Sequence, residues 1–272
     1  MKKAKTIGMM ILYIIIFILA EIIGTILTLI YKMKTNPDFI DELYNTLMIL
    51  DINNPDSYAN YLKLCYQLVP MTLLITGIII LIPFSIYCYH KKIQVIQKIP
   101  IKQIFFLICI GISLNVIVSL IIELLPQNLI DNYSANVNYI EELPPFALLV
   151  TAGIIAPLIE EIIFRFFMVN KLKKKPVIAV IIPALMFGIA HGNIVQGTYA
   201  FLLGTLFGYI YLKTGNLLYT IILHASINSS SILFTIIPEI VSYIGIIFSI
   251  IISLYCVLRY LNNIKVYKNS KI

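Results

Sequence analysis

Several runs of about twenty apolar residues follow one another along this chain, broken only by short segments that collect the charges. A helix rising 1.5 Å per residue needs roughly 20 residues to cross ~30 Å of hydrocarbon. Inside a bilayer no water satisfies unpaired peptide groups, so such runs are committed to membrane-spanning helices. Composition agrees, because the 272 residues are 60% hydrophobic and only 12% charged, with a mean hydropathy of +0.94; a soluble domain is nearer a quarter charged. The expected fold is an all-α, polytopic membrane helical bundle of about eight transmembrane helices, at residues 7–31, 66–90, 103–125, 145–170, 176–191, 197–212, 216–235 and 239–261. The first run follows Lys2, Lys3 and Lys5, but it is too long for a signal-peptide core and no small-residue cleavage site follows, so it reads as a retained anchor.

Basic residues set the orientation. With the N-terminus inside, the inner segments collect Lys2, Lys3, Lys5, Lys91, Lys92, Lys98, Lys102, Lys171, Lys173, Lys174, Lys175, Lys213, Arg259, Lys265, Lys268 and Lys271. Lys32, Lys34 and Lys63 fall outside, and Arg165 lies within a span. The acids Asp38, Asp41, Glu42, Asp51, Asp56, Asp131, Glu141 and Glu142 all fall in two longer outer loops. The chain is therefore expected in a cell membrane, multi-pass, with both termini cytoplasmic. A net charge of +7 spread between apolar spans forms no continuous basic face, which argues against nucleic acid and for contact with anionic lipid. Cys65, Cys88, Cys109 and Cys256 show no CxxC spacing, so neither a disulfide framework nor a cysteine metal site is expected.

Three regions differ in character. Residues 1–143 hold three spans with the isolated acids Glu21 and Glu123 and a polar outer loop, roughly 34–65, with Asn-Pro turn signals. Pro144 and Pro145 stop any helix before the next span. Residues 144–235 carry nearly all the placed polar groups, and residues 236–272 supply a final span and a basic inner tail.

Charges at bilayer depth cost at least ~2.5 to 3.5 kcal/mol each, so they usually face a bundle interior and mark a site. Glu160 and Glu161 sit in mid-span, with Arg165 one turn on. Residues four apart share a helix face, so Glu161 and Arg165 can pair while Glu160 points elsewhere and stays free to react. The bland alternative is a buried network in which both acids serve the arginine. His191 closes the run from Phe187, and His224 has Asn228 one turn on along the same face. Counted from the lysine-rich borders, Glu160, His191, His224 and Asn228 lie at a common depth of roughly 16 to 22 Å. A lone histidine on an apolar helix is more often a hydrogen-bonded core residue; His90, at an inner border, needs no more than solvation.

Glu160 to Arg165 matches EExxxR, Phe187 to His191 matches FxxxH and His224 to Asn228 matches HxxxN, and these motifs in this order resemble the CAAX protease and bacteriocin-processing (CPBP, or Abi) family of intramembrane proteases. The segments Gly192-Asn193-Ile194-Val195-Gln196-Gly197 and Lys213-Thr214-Gly215-Asn216 are similar to it too, so the resemblance covers about residues 144–235. It implies a CAAX-protease-like intramembrane peptidase, a hydrolase in which Glu160 and His191 activate water and His224 and Asn228 stabilise the oxyanion, with Glu161, Arg165 and Phe187 supporting. By similarity to type II CAAX prenyl endopeptidases the reaction is glutamate-dependent and free of cofactor. A zinc alternative stays open, because Glu160, His191 and His224 could hold Zn²⁺ with a water in the fourth position, although no HExxH is present.

Abundant Ile, Lys, Asn and Tyr resemble an AT-rich, Gram-positive coding bias, so a bacterial plasma membrane is expected. The resemblance then implies a membrane-associated peptide or protein substrate, in maturation of a bacteriocin or signal peptide or in self-immunity. Two other classes compete: a non-enzymatic immunity or scaffold protein, and an ion-coupled transporter, which an internal repeat would favour and which finds none here. Oligomeric state has no sequence signal. Ser226, Ser229, Ser230 and Ser231 near His224 are expected to hydrogen-bond carbonyls within their span.

Overall fold

A computed structural model describes residues 2–131, 133–134 and 143–236, with residues 243, 244, 247, 250, 251, 254 and 255 beyond them. No strand occurs among the described residues. In chain order the helices are α1 (Lys2–Thr35), α2 (Asp38–Met48), α3 (Pro55–Lys91), α4 (Ile101–Glu123), α5 (Pro145–Leu172), α6 (Pro176–Ala190), α7 (Ile194–Thr214) and α8 (Leu217–Ile236). Six of these are long and apolar enough to cross a membrane: α1, α3, α4, α5, α7 and α8. The protein is an all-α, multi-pass membrane bundle. The expected fifth span is α6, which at 15 residues is shorter than a crossing requires. The expected eighth span, 239–261, and the tail from Arg259 lie outside the fully described residues, as do Glu141 and Glu142.

The outer loop expected at 34–65 contains structure. Asn54 accepts hydrogen bonds from the Asp56 and Ser57 amides at 3.0 and 3.2 Å, and Pro55 occupies the first turn, so the Asn-Pro pair starts α3 rather than a turn. Upstream, α2 folds its one buried residue, Phe39, onto Leu64 and Leu68 of α3.

Helix α5 is the centre of the bundle, touching α1, α3, α6, α7 and α8. On α1, residues spaced three or four apart (Met10, Tyr13, Phe17, Ala20, Gly24, Thr28) turn inward, and Met10 joins Ile159, Ile163, Phe164 and Met168 of α5. Small residues let backbones approach, as membrane helices need when lipid supplies no hydrophobic drive. A methyl group on Gly111 of α4 would stand 2.9 Å from the Leu223 carbonyl oxygen of α8. One on Gly188 of α6 would stand 2.6 Å from the Gly197 carbonyl oxygen of α7.

The turn between α7 and α8 sets the height of the latter. Gly215 adopts φ +63°, which glycine tolerates without strain. Buried Asn216 then accepts from the Gln97 amide at 3.2 Å and donates to the Gln97 carbonyl at 3.0 Å, tying α8 to the extended segment before α4.

Candidate active site

Pro157 shapes the helix that carries the glutamates. Its missing N–H cannot close a backbone bond, and α5 is π-helical over Thr151–Ile155 and again over Glu161–Val169. Such widened turns recur at functional sites. Two carbonyls near the proline are met from α8: Asn228 Nδ2 donates to Ala152 at 3.1 Å and Ser229 Oγ to Gly153 at 3.3 Å. These bonds fix how α8 is rotated against α5. Ser226 and Ser230, by contrast, bond to carbonyls of their own helix, as expected.

That rotation puts His224 between the two glutamates. Its Nδ1 lies 3.0 Å from Glu161 Oε1 and its Nε2 3.5 Å from Glu160 Oε2. Glu161 is fully buried, whereas the Glu160 side chain keeps 20% exposure and can meet a ligand. The expected pairing of Glu161 with Arg165 is present, with Nε and Oε2 3.1 Å apart. A carboxylate only accepts, so Nδ1 of His224 carries a proton. Its Nε2 then faces Glu160, the reachable carboxylate of the two.

Arg165 is 1% exposed, and three aromatic rings surround its guanidinium, those of Phe187, Phe207 and Phe164, at 4.8, 5.2 and 6.0 Å. The contact with Glu161 is one of charge rather than a directed hydrogen bond, since none of the guanidinium nitrogens has a hydrogen-bond partner among the described residues. Cation–π attraction, roughly 2 kcal/mol when desolvated, offsets part of that cost.

His191 caps the end of α6 and is placed differently from the other histidine. Its Nδ1 lies 2.8 Å from the Phe187 carbonyl and its ring packs edge-on to Phe187 at 4.7 Å. A carbonyl only accepts, so Nδ1 carries a proton and Nε2 is the ring nitrogen left for other contacts. Phe187 also meets His224 at 5.6 Å, so one ring separates the two histidines and lies against the arginine. The imidazole in direct contact with Glu160 is therefore that of His224.

The candidate zinc set is not assembled. Among the described residues no three His, Cys, Asp or Glu side chains are grouped as a metal site requires. Glu160 and His224 converge, but the ring of His191 is engaged with Phe187.

Sequence patterns missed three neighbours. Phe207, fully buried, tilts against His224 at 5.1 Å as well as the guanidinium. Thr220, one turn before His224, is buried beside Glu161 and donates to the Leu217 carbonyl at 3.1 Å. Glu21, isolated in the sequence, is near enough to Glu160 to feel its charge. Only the last carried a signal, being an acid in mid-span.

Residues 142–230 match a family model described as type II CAAX prenyl endopeptidase Rce1-like, and the match contains every residue of the three motifs. No curated protein and no solved structure matches the chain. A helical membrane bundle thus brings Glu160, Glu161, Arg165 and His224 together within the segment, residues 142–230, that is similar to the Rce1-like type II CAAX prenyl endopeptidases.

Proposed function

We propose that the protein is an intramembrane endopeptidase that hydrolyses a peptide bond in a membrane-associated peptide or protein. The observation that carries this is His224 held between two carboxylates, one buried with an arginine and one reachable. Glu160 takes a proton from water as the water attacks the scissile carbonyl, with the Nε2 lone pair of His191 helping to orient that water, and returns the proton to the leaving nitrogen as the C–N bond breaks. His224 is anchored through Nδ1 on Glu161 and donates from Nε2 to the developing oxyanion. Asn228 spends one amide hydrogen on Ala152 and has a second for the same oxyanion. Such a donor typically contributes ~3 to 4 kcal/mol of transition-state stabilisation.

No step in this scheme uses a metal. The ungrouped ligand set supports that choice. The lysine-rich side is assigned to the cytoplasm of a bacterium, with both termini there, and the substrate class to bacteriocin or signal-peptide maturation or self-immunity.

A panel of quenched membrane peptides, cleaved by wild type beside Glu160→Gln, tests the reading. Glutamine preserves size and hydrogen bonding but accepts no proton, so cleavage should fall by about 10²- to 10⁴-fold while the protein still accumulates in the membrane. Wild-type cleavage by Glu160→Gln would show that this carboxylate is not the base.

A further inference from the structure

We propose that a groove between α6 and α7 at their lysine-rich ends is a binding site for one anionic phospholipid. The two antiparallel helices are tightest at Gly188 and Gly197. Packing loosens towards the lysines: a methyl on Gly204 would stand 3.3 Å from Ala184 Cα, and one on Gly208 3.4 Å from Val180 Cα. Beyond Gly208 a cavity of about 650 Å³ opens, within the size range of ligand pockets.

Its chemistry is divided. Val177, Val180, Ile181 and Leu212 supply apolar walls, and Val177 is 75% exposed. Lys173 and Lys213 stand at the mouth, both exposed, and Lys213 Nζ lies 5.6 Å over the Tyr209 ring. No acidic side chain lines the cavity, and neither lysine is paired with a carboxylate among the described residues. Buried Tyr211 also lines it; its hydroxyl accepts from Asn170 Nδ2 at 2.7 Å and so keeps its own proton to donate.

Two cations above an apolar cleft match a phosphate headgroup above a hydrocarbon tail. A small soluble anion would leave the cleft unfilled. A lysine beside an anionic membrane surface contributes about 1 kcal/mol, or roughly fivefold in affinity, so the pair accounts for a strong charge preference.

The test is native mass spectrometry of the full chain, delipidated in detergent and titrated with phosphatidylglycerol or with phosphatidylcholine of the same acyl chains. The expected result is a single phosphatidylglycerol retained at least about tenfold better, with the preference lost in Lys173→Gln/Lys213→Gln. It should survive in Lys91→Gln/Lys92→Gln, which removes the same charge elsewhere. Val177→Trp, which keeps both lysines and fills the mouth, should also lose the lipid and keeps the idea testable if the lysine variant folds poorly. Equal retention of the two lipids, undiminished binding by both groove variants, or full competition by chain-free glycerol phosphate would each overturn the proposal.

Discussion

The side-chain amide of Asn228 stands in for a backbone N–H, lying 3.1 Å from the carbonyl oxygen of Ala152, five residues before Pro157. The preceding amide, that of Ala156, bonds to Thr151, so α5 here has the register in which residue 157 would bond to Ala152. Proline leaves that acceptor free, and α8 supplies the donor.

Removing the donor strands a carbonyl inside the bundle. Asn228→Ala should cost about 1–3 kcal/mol of stability. Pro157→Ala in the same chain should recover part of that loss by restoring the N–H, without recovering cleavage. Thermal unfolding in detergent of the four proteins of this cycle measures the coupling; strictly additive effects would mean that the amide does not replace the missing bond.

The ring of aromatics makes Arg165 irreplaceable by lysine. A planar guanidinium can face several rings at once, whereas an ammonium is a compact, strongly hydrated charge. Arg165→Lys should lower stability by about 2 kcal/mol. Arg165→Ala should lose about 3–5 kcal/mol by leaving Glu161 unpaired. Folded yield and melting temperature decide it, and a lysine variant as stable as wild type would refute the role given to Phe187 and Phe207.

Metal dependence separates two ways of activating water with the same residues. Cleavage should survive exhaustive treatment with a membrane-accessible chelator, and elemental analysis should find no stoichiometric zinc. Chelator inactivation reversed by Zn²⁺ would instead require His191 to leave Phe187 and join Glu160 and His224.

Lysine asymmetry predicts that reporters placed at Leu50, Val95 and Lys173 read outside, inside and inside. Labelling of Leu50 from the cytoplasm would reverse the assignment.

Hydropathy made α1, α3, α4, α5, α7 and α8 legible as spans, since each reaches the length of a crossing. It misjudged α2, whose 11 residues are mostly exposed and bury only Phe39, because a short helix packed on another helix needs little apolar surface. Motif spacing found Glu161 with Arg165, which share one helix and hence a fixed geometry. The same spacing could not decide whether Glu160 meets His191 or His224, since that depends on how α8 is rotated, and rotation is set by Asn228, Ser229 and the break at Pro157. Phe207 and Thr220 were invisible for another reason. They act through burial against charged groups on other helices, and an aromatic or threonine in a span looks the same whether it faces lipid or an ion.

The shortness of α6 bears on how a hydrolase obtains its co-substrate in oil. Fifteen residues extend about 22 Å, some 8 Å less than the hydrocarbon thickness. With its lysine-rich end at one membrane border, the helix would end in His191-Gly192-Asn193 short of the opposite one, and a span that short thins the bilayer around it or draws polar groups inward. Solvent follows those groups. On the proposed reading, the abrupt end of α6 is where water would reach the proteolytic site, beside His191 rather than through the apolar faces of the longer helices.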